Sequence, residues 1–251
     1  MEIIIGFVIA FAIAITGVGA GTVTAPVLML FLGLEPAVAV GTALGFSTIV
    51  KIPAGASYWL KGRVDKKYLL LMMAGGVPGV ILGSLMLGHM AADKKLKLAV
   101  LTVVGIIVLL SALMNIILMW KRISIHNTEK LAKFIPVVTF FIGIEVGFSS
   151  AGAGALGTLL LLYATPLFAC NVIGTDIAFG LALSAVGGSL HFGMGNIDLP
   201  MMAKLVTGGL VGSFLGSHTA NRVPAKPLRV ALLAWLVFIG SQLLYRGLTG
   251  S

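Results

Sequence analysis

The sequence predicts an all-α protein that crosses a membrane several times and consists of two related halves. Of its 251 residues, 59% are hydrophobic and only 10% are charged, whereas a soluble domain carries about 25% charged residues. Residues 19–84 also align with residues 152–217 without a gap. The composition indicates a polytopic membrane protein, and the alignment indicates an internal duplication.

Eight apolar blocks account for most of the chain, and about 20 apolar residues are enough to span a bilayer. They cover residues 3–31, 38–60, 68–90, 98–120, 134–163, 172–194, 199–218 and 229–246. The blocks leave no room for a separate soluble domain. The lysines and arginines that give the chain its net charge of +9 lie mostly in the short loops between blocks. We interpret them as determinants of membrane topology and not as a nucleic-acid-binding surface.

Glycines dominate the positions that the two aligned stretches share. Nine glycines of the first stretch recur 133 residues later, namely Gly19, Gly21, Gly41, Gly55, Gly62, Gly75, Gly76, Gly79 and Gly83. Glycine at a retained position permits close backbone packing or a departure from regular structure. A duplicated hydrophobic fold with glycine-rich interruptions is typical of secondary transporters, whose substrate site lies where the two halves meet.

The first and fifth blocks are too long for single membrane-spanning helices. Residues 3–31 would form a helix of about 43 Å, against a hydrocarbon core of about 30 Å. Residues 16–26 and the matching stretch 149–158 are rich in glycine, serine and threonine, which are poor helix formers. We therefore predict that each long block consists of two half-helices that meet within the membrane. A single tilted helix with a glycine packing face is the alternative.

The distribution of positive charge favours broken blocks that do not cross the membrane. With six crossings, eleven loop cations lie on one side and four on the other, whereas eight crossings give nine and six. The positive-inside rule prefers the first arrangement. Three crossings per copy would invert the second copy relative to the first. We predict two inverted repeats, residues 1–120 and 134–251, joined by a basic cytoplasmic linker, residues 121–133. Each repeat then has a re-entrant helix pair and three transmembrane helices.

A series of short motifs resembles the TauE/SafE sulfite exporter family, also called the toluenesulfonate uptake permease family. In the first half the motifs are the glycine run 17–21, Pro26, residues 39–42, Gly62-Arg63-Val64-Asp65 and residues 75–79 with Gly83. In the second half they are residues 152–154, 173–176, 195–198 and 208–212 with Gly216. The resemblance extends from about residue 5 to residue 245.

The resemblance implies a permease for small sulfur-containing anions such as sulfite, thiosulfate or organosulfonates. It places the protein in the lipid bilayer of a prokaryotic plasma or inner membrane, and it leaves assembly as a homodimer open. The sequence departs from the family pattern at Ala43, where many relatives have a polar residue, and at Leu159, the counterpart of Pro26.

An anion site is expected where the broken helices restart, near Thr22 and near residues 155–158. The first backbone N–H groups of a helix lack partners and its dipole is positive there, so an oxyanion binds readily. The candidate substrate-binding residues are Thr16, Gly19, Gly21, Thr22, Thr24, Lys51, Ser149, Ser150, Gly152, Gly154 and Thr158. The alternative is that these small residues only allow helices to pack closely.

Ionisable residues at membrane depth are costly and are therefore candidates for function. Lys51 needs an anionic partner, which could be Asp176, Glu145 or the substrate, and a purely structural ion pair is the alternative. Asp176, at the expected start of a helix, is the first candidate for proton coupling or gating, or it only balances the helix dipole. Glu145 is the second candidate. His191 is expected to face a loop near the membrane edge.

The remaining chemistry is defined mainly by what the sequence lacks. Its single cysteine, Cys170, excludes an internal disulfide and a cysteine-built metal site. It contains neither a phosphate-binding loop nor a histidine cluster, so we expect no cofactor, no metal and no catalytic residue. An intramembrane serine protease using Ser149 or Ser150 with His191 is disfavoured, because the equivalent stretch at residues 16–19 keeps the glycines without the serine. An anion channel is the stronger alternative to a transporter.

Overall fold

The computed structural model describes residues 1–16, 20–92, 96–120, 132–151, 155–219 and 225–249, and the secondary structure in these ranges is helical. The helices are α1 (Glu2–Thr16), α2 (Ala20–Phe31), α3 (Pro36–Leu60), α4 (Lys66–Ala92), α5 (Lys97–Trp120), α6 (Ile135–Ser149), α7 (Ala155–Ala164), α8 (Ala169–Gly193), α9 (Leu199–Thr219) and α10 (Ala225–Thr249). Within the described ranges, six are long and apolar enough to cross a membrane: α3, α4, α5, α8, α9 and α10. The predicted all-α polytopic fold is confirmed.

Both long apolar blocks are broken, as the glycine-rich stretches predict. The first block is divided into α1 and α2, and the fifth into α6 and α7. At the end of α6, Ser150 adopts a left-handed conformation with φ of 61°, and its N–H donates to the carbonyl of Val146 at 2.8 Å. A non-glycine residue rarely has this conformation. It closes α6 in the manner of a C-terminal cap and turns the chain away from the helix axis.

Equivalent glycines pack the two halves against each other. α4 of the first half runs along α6 of the second, and α9 of the second half runs along α1 of the first. A Cβ atom on Gly75 would lie 1.7 Å from the carbonyl oxygen of Pro136, and one on the equivalent Gly208 would lie 1.9 Å from that of Ile3. These contacts require glycine. The half-helix α1 of the first half thus packs on the second half, and the half-helix α6 of the second half packs on the first. The two halves are therefore interlocked.

The central helices α3 and α8 are equivalent to each other and pack antiparallel. In the second turn of α3, the hydroxyl of Thr42 accepts a hydrogen bond from the N–H of Asp198, at 3.0 Å. In the second turn of α8, the hydroxyl of Thr175 accepts one from the N–H of Asp65, at 2.9 Å. The first turns of α3 thus lie beside the loop that follows α8, and the first turns of α8 lie beside the loop that follows α3. Inverted repeats would produce this arrangement, and their orientation in the bilayer stays a prediction.

These contacts define two ends of the helix bundle. We call the end where α3 terminates and α4 and α8 begin the Lys61 end, and the end where α8 terminates and α3 and α9 begin the Met194 end. Because α6 runs parallel to α4 and α7 leads into α8, the α6–α7 pair enters and leaves at the Lys61 end. By the same reasoning, the α1–α2 pair enters and leaves at the Met194 end. The two hairpins reach into the bundle from opposite ends.

Candidate functional site

The carboxyl group of Asp176 lies against the start of α7. The hydroxyl of Thr158 donates to Asp176 Oδ2 at 2.7 Å. Its other oxygen, Oδ1, is buried without a hydrogen-bond partner. That oxygen occupies the space of a side chain at residue 157, since a Cβ atom on Gly157 would lie 2.1 Å from it. Gly157 and Thr158, in the first turn of α7, therefore both contact the carboxyl group.

Lys51 brings a positive charge from α3 to the same region. The charges of Lys51 and Asp176 are close enough to interact electrostatically, and no direct ion pair within 4.0 Å joins these two residues. The counterparts of this pair in the other repeat are Ser184 and Ala43. The charged site is therefore asymmetric, although the fold around it is duplicated.

The expected position of Asp176 at the start of a helix is wrong. α8 begins at Ala169, directly after the extended residue Phe168, so Asp176 lies about two turns inside the helix. The earlier start follows from Pro166, which ends the preceding segment and lets a new helix begin soon after it. Asp176 cannot balance the dipole of its own helix from there. It instead faces the N-terminal turn of α7, whose free N–H groups favour negative charge.

Two buried hydroxyl groups lie at the end of α6. The Ser149 hydroxyl donates to the carbonyl of Glu145 at 2.8 Å and accepts from the N–H of Ala151 at 3.2 Å. The Ser150 hydroxyl is buried and has no hydrogen-bond partner. In the other hairpin, the side chains of Thr22 and Thr24 are buried as well. Ser150 and Asp176 thus each present an unsatisfied polar atom near the α6–α7 break.

Several predicted site residues lie where the structure gives less information. Gly19, Gly152 and Gly154 lie outside the described residues, and only the helical backbone is described for Thr16 and Gly21. The second helix of each hairpin begins close to the expected restart, α2 at Ala20 and α7 at Ala155. The proposal that these glycines bind an anion through their backbone therefore stays a prediction.

Glu145 occupies a different environment from Asp176. The hydroxyl of Ser111 in α5 donates to Glu145 Oε1. Both side chains line a cavity of about 310 Å³ between α5, α6 and α7. Leu156 of α7 lines this cavity, whereas its neighbours Gly157 and Thr158 contact Asp176. The two acidic residues thus lie on different sides of α7.

The expectation that His191 faces a loop is wrong, since its side chain is 0% exposed. The start of α3 covers it, because Gly41 has no side chain and the His191 Cβ would lie 2.8 Å from a Cβ there. The backbone of Gly147 in α6 lies beside the ring. The recurring glycine at position 41 was the signal in the sequence that another residue packs closely there.

Within the described ranges, no group of three metal-ligating side chains occurs.

Comparisons with known proteins agree with this architecture. The model of the family described as sulfite exporter TauE/SafE matches residues 2–243. The probable membrane transporter protein YjnA of Bacillus subtilis (strain 168) is 29% identical and covers 96% of this chain and 98% of its own length. The probable membrane transporter protein YunE of the same organism is 25% identical over 98% of this chain and 97% of its own length.

A probable membrane transporter protein of Xylella fastidiosa (strain 9a5c) is 25% identical over 88% of this chain and 84% of its own length. No solved structure matches the chain. The family match extends over nearly the whole chain, and six of the described helices are long and apolar enough to cross a membrane. Together these findings lead to one assignment. The chain belongs to the TauE/SafE sulfite exporter family and is a multi-pass membrane transporter of the cell membrane.

Proposed function

We propose that this transporter carries small sulfur-containing anions such as sulfite, thiosulfate or organosulfonates. The observation that supports this most is the placement of Lys51, which is at membrane depth and not engaged in a direct ion pair with Asp176. A lone ammonium group there is costly unless an anion accompanies it. An oxyanion that enters between α3 and the α6–α7 hairpin supplies that partner.

Three further groups favour the binding of an oxyanion at this place. The first turn of α7 offers backbone N–H groups and the positive end of a helix dipole. The Ser150 hydroxyl has no other partner in the structure. The equivalent start of α2, with Thr22 and Thr24, provides a second set of donors from the opposite end.

Asp176 couples binding of the anion to binding of a proton. A carboxylate beside an anion is repelled by it, and uptake of a proton by Asp176 removes this repulsion. The protonated group then donates a hydrogen bond through the oxygen that has no partner in the structure. We therefore infer that anion and proton bind together. Alternating access would arise from movement of the interlocked, inverted repeats around this site.

Transport by reconstituted protein tests the proposal. Purified protein in liposomes should show saturable uptake of labelled sulfite, thiosulfate, taurine or sulfoacetate, and counterflow when the liposomes are preloaded with the same anion. Lys51→Met should reduce uptake at least about tenfold while the protein remains folded, and Lys51→Arg should retain part of it. Flux that does not saturate and shows no counterflow would favour the anion channel. Normal uptake by Lys51→Met would exclude Lys51 from the anion site.

A further inference from the structure

The cavity that contains Glu145 has the composition of a ligand site and is separate from the Lys51–Asp176 region. Its volume is about 310 Å³, at the lower end of the range of roughly 300–1,000 Å³ for small-molecule sites. Besides Glu145 and Ser111, it is lined by apolar side chains, namely Ile107, Leu110, Met114 and Leu156. One hydrogen-bonded carboxyl group thus lies at the polar end of an otherwise hydrocarbon-like space.

This carboxyl group lies deep in the bundle. Glu145 is ten residues beyond the start of α6, which places it about 15 Å along the helix. The hydrocarbon core of a bilayer is about 30 Å thick, so the group lies far from either lipid headgroup layer. A phospholipid headgroup therefore does not reach it. Two residues that line the cavity, Leu110 and Met114, are 60% and 44% exposed, so the cavity opens sideways toward the lipid.

Among the described residues, no basic side chain compensates the charge of Glu145. The ion pairs found in these ranges involve Glu2, and the charge of Lys51 acts on Asp176 rather than on Glu145. A bare carboxylate at this depth is costly. It is stabilised when a proton or a cationic ligand neutralises it. The apolar space next to it leaves room for a cation that carries hydrocarbon groups.

The fold itself does not need a carboxyl group at position 145. The counterpart of Glu145 in the other repeat is the apolar Ala12. Its helix α1 packs along α9 as α6 packs along α4. Glu145 is therefore an addition to one repeat, as a ligand site would be, and not part of the framework that the duplication shares.

We propose that this cavity is a second ligand site, which binds a lipophilic ammonium ion from the membrane. The cationic head pairs with the Glu145 carboxylate, whose other contact is the Ser111 hydroxyl. The hydrocarbon part lies against Ile107, Leu110 and Leu156. Charge complementarity selects a cation, and the apolar side chains among the other described lining residues select a hydrophobic one. The site is independent of the anion that the protein transports.

Binding of hexyltrimethylammonium to the full chain in nanodiscs tests this proposal, with binding to empty nanodiscs subtracted. We expect saturable binding that Glu145→Gln weakens at least about tenfold and Glu145→Asp weakens less. The neutral analogue 2,2-dimethyloctane should not compete. Glu35→Gln, which removes an exposed carboxyl group elsewhere, is the matched control and should bind like the unmodified protein.

A second variant separates loss of the site from loss of folding. Met114→Trp keeps Glu145 but fills part of the cavity from its lipid-facing side, so it should also abolish binding. Equal binding by Glu145→Gln and unmodified protein, both monodisperse, would overturn the proposal. Equal competition by the neutral analogue would overturn it too, because the cavity would then accommodate any lipid chain. No saturable binding by the unmodified protein would also reject it.

Discussion

The carboxyl group of Asp176 combines one hydrogen-bonded oxygen with one that has no partner. Thr158 donates to the first, and the second faces the space left by Gly157. Buried polar atoms are normally paired, and an exception often marks a functional position. Lys51 adds an opposite charge nearby. These residues come from α3, α7 and α8, so movement of the α6–α7 hairpin relative to α3 and α8 would change their contacts.

We expect Asp176→Asn to uncouple transport from protons while leaving anion binding measurable. The amide keeps the shape of the side chain and can still bond to Thr158, but it does not titrate. The measurement is anion uptake into liposomes with and without an imposed pH gradient. Unmodified protein should respond to the gradient and the variant should not.

A full response by the Asn variant would remove Asp176 from the coupling mechanism. Glu145→Gln is then the next variant to measure, because Glu145 is the other described carboxyl group at membrane depth. If neither substitution alters the response, the protein is a uniporter driven by the gradient of its substrate.

Gly157→Ala should displace the Asp176 carboxyl group without removing any charge. The new Cβ atom would lie 2.1 Å from Asp176 Oδ1 and 3.2 Å from its Cγ, so the side chain must move away from α7. We expect uptake to fall at least about tenfold in liposomes. Gly193→Ala is the matched control, because nothing lies within 4 Å of a Cβ atom there. Equal uptake by both variants would show that the contact between Asp176 and α7 is not needed for transport.

At the scale of helices, the glycines determine which elements touch. Gly75, Gly79 and Gly83 are spaced four residues apart on α4 and bring its backbone against α6. Their equivalents Gly208, Gly212 and Gly216 do the same between α9 and α1. Apolar burial contributes little to association inside a bilayer, so close packing of small residues has to stabilise these pairs.

Gly75→Ala should destabilise the protein by about 1–3 kcal/mol, the usual cost of overpacking. Its Cβ atom would lie 1.7 Å from the backbone oxygen of Pro136, which cannot move without shifting α6. Thermal unfolding in detergent measures the effect. Gly88→Ala on the same helix is the control, because its Cβ atom would meet only the flexible side chain of Met194.

The equivalent substitution Gly208→Ala should cost a similar amount, since it meets the carbonyl oxygen of Ile3 at 1.9 Å. A loss of stability by Gly88→Ala as large as that of Gly75→Ala would contradict this account of α4–α6 packing.

The sequence predicted the helix breaks well and the site contacts poorly, for physical reasons. Runs such as Gly17-Val18-Gly19 disfavour a helix locally, so a sequence pattern is enough to find the break. The bond from Thr158 to Asp176 and the bond from Ser111 to Glu145 join different helices. No local pattern encodes such contacts. The early start of α8 likewise removed Asp176 from the expected helix end.

For the whole molecule, the arrangement of the bundle agrees with the distribution of charge. Lys61, Arg63, Lys66 and Lys67 are exposed at the Lys61 end. The equivalent loop at the Met194 end contains Met194, Asn196, Leu199 and Pro200 at those positions. The positive-inside rule places the Lys61 end in the cytoplasm. The α6–α7 hairpin would then open toward the cytoplasm and the α1–α2 hairpin toward the outside.

Cysteine labelling at the equivalent positions 61 and 194 decides this topology. Lys61→Cys and Met194→Cys, each in a Cys170→Ala background, are exposed to a membrane-impermeant maleimide in intact cells. Between these positions lie α4, α5 and α8, and also the α6–α7 pair. If the pair is re-entrant, three crossings separate the positions and they label from opposite faces, with Met194→Cys accessible from outside. If the pair crosses the membrane, a fourth crossing puts both positions on the same face.

As controls, both variants must label in detergent, and the Cys170→Ala background must not. Same-face labelling would disprove the inverted repeats, because the two equivalent loops would then share one side of the membrane.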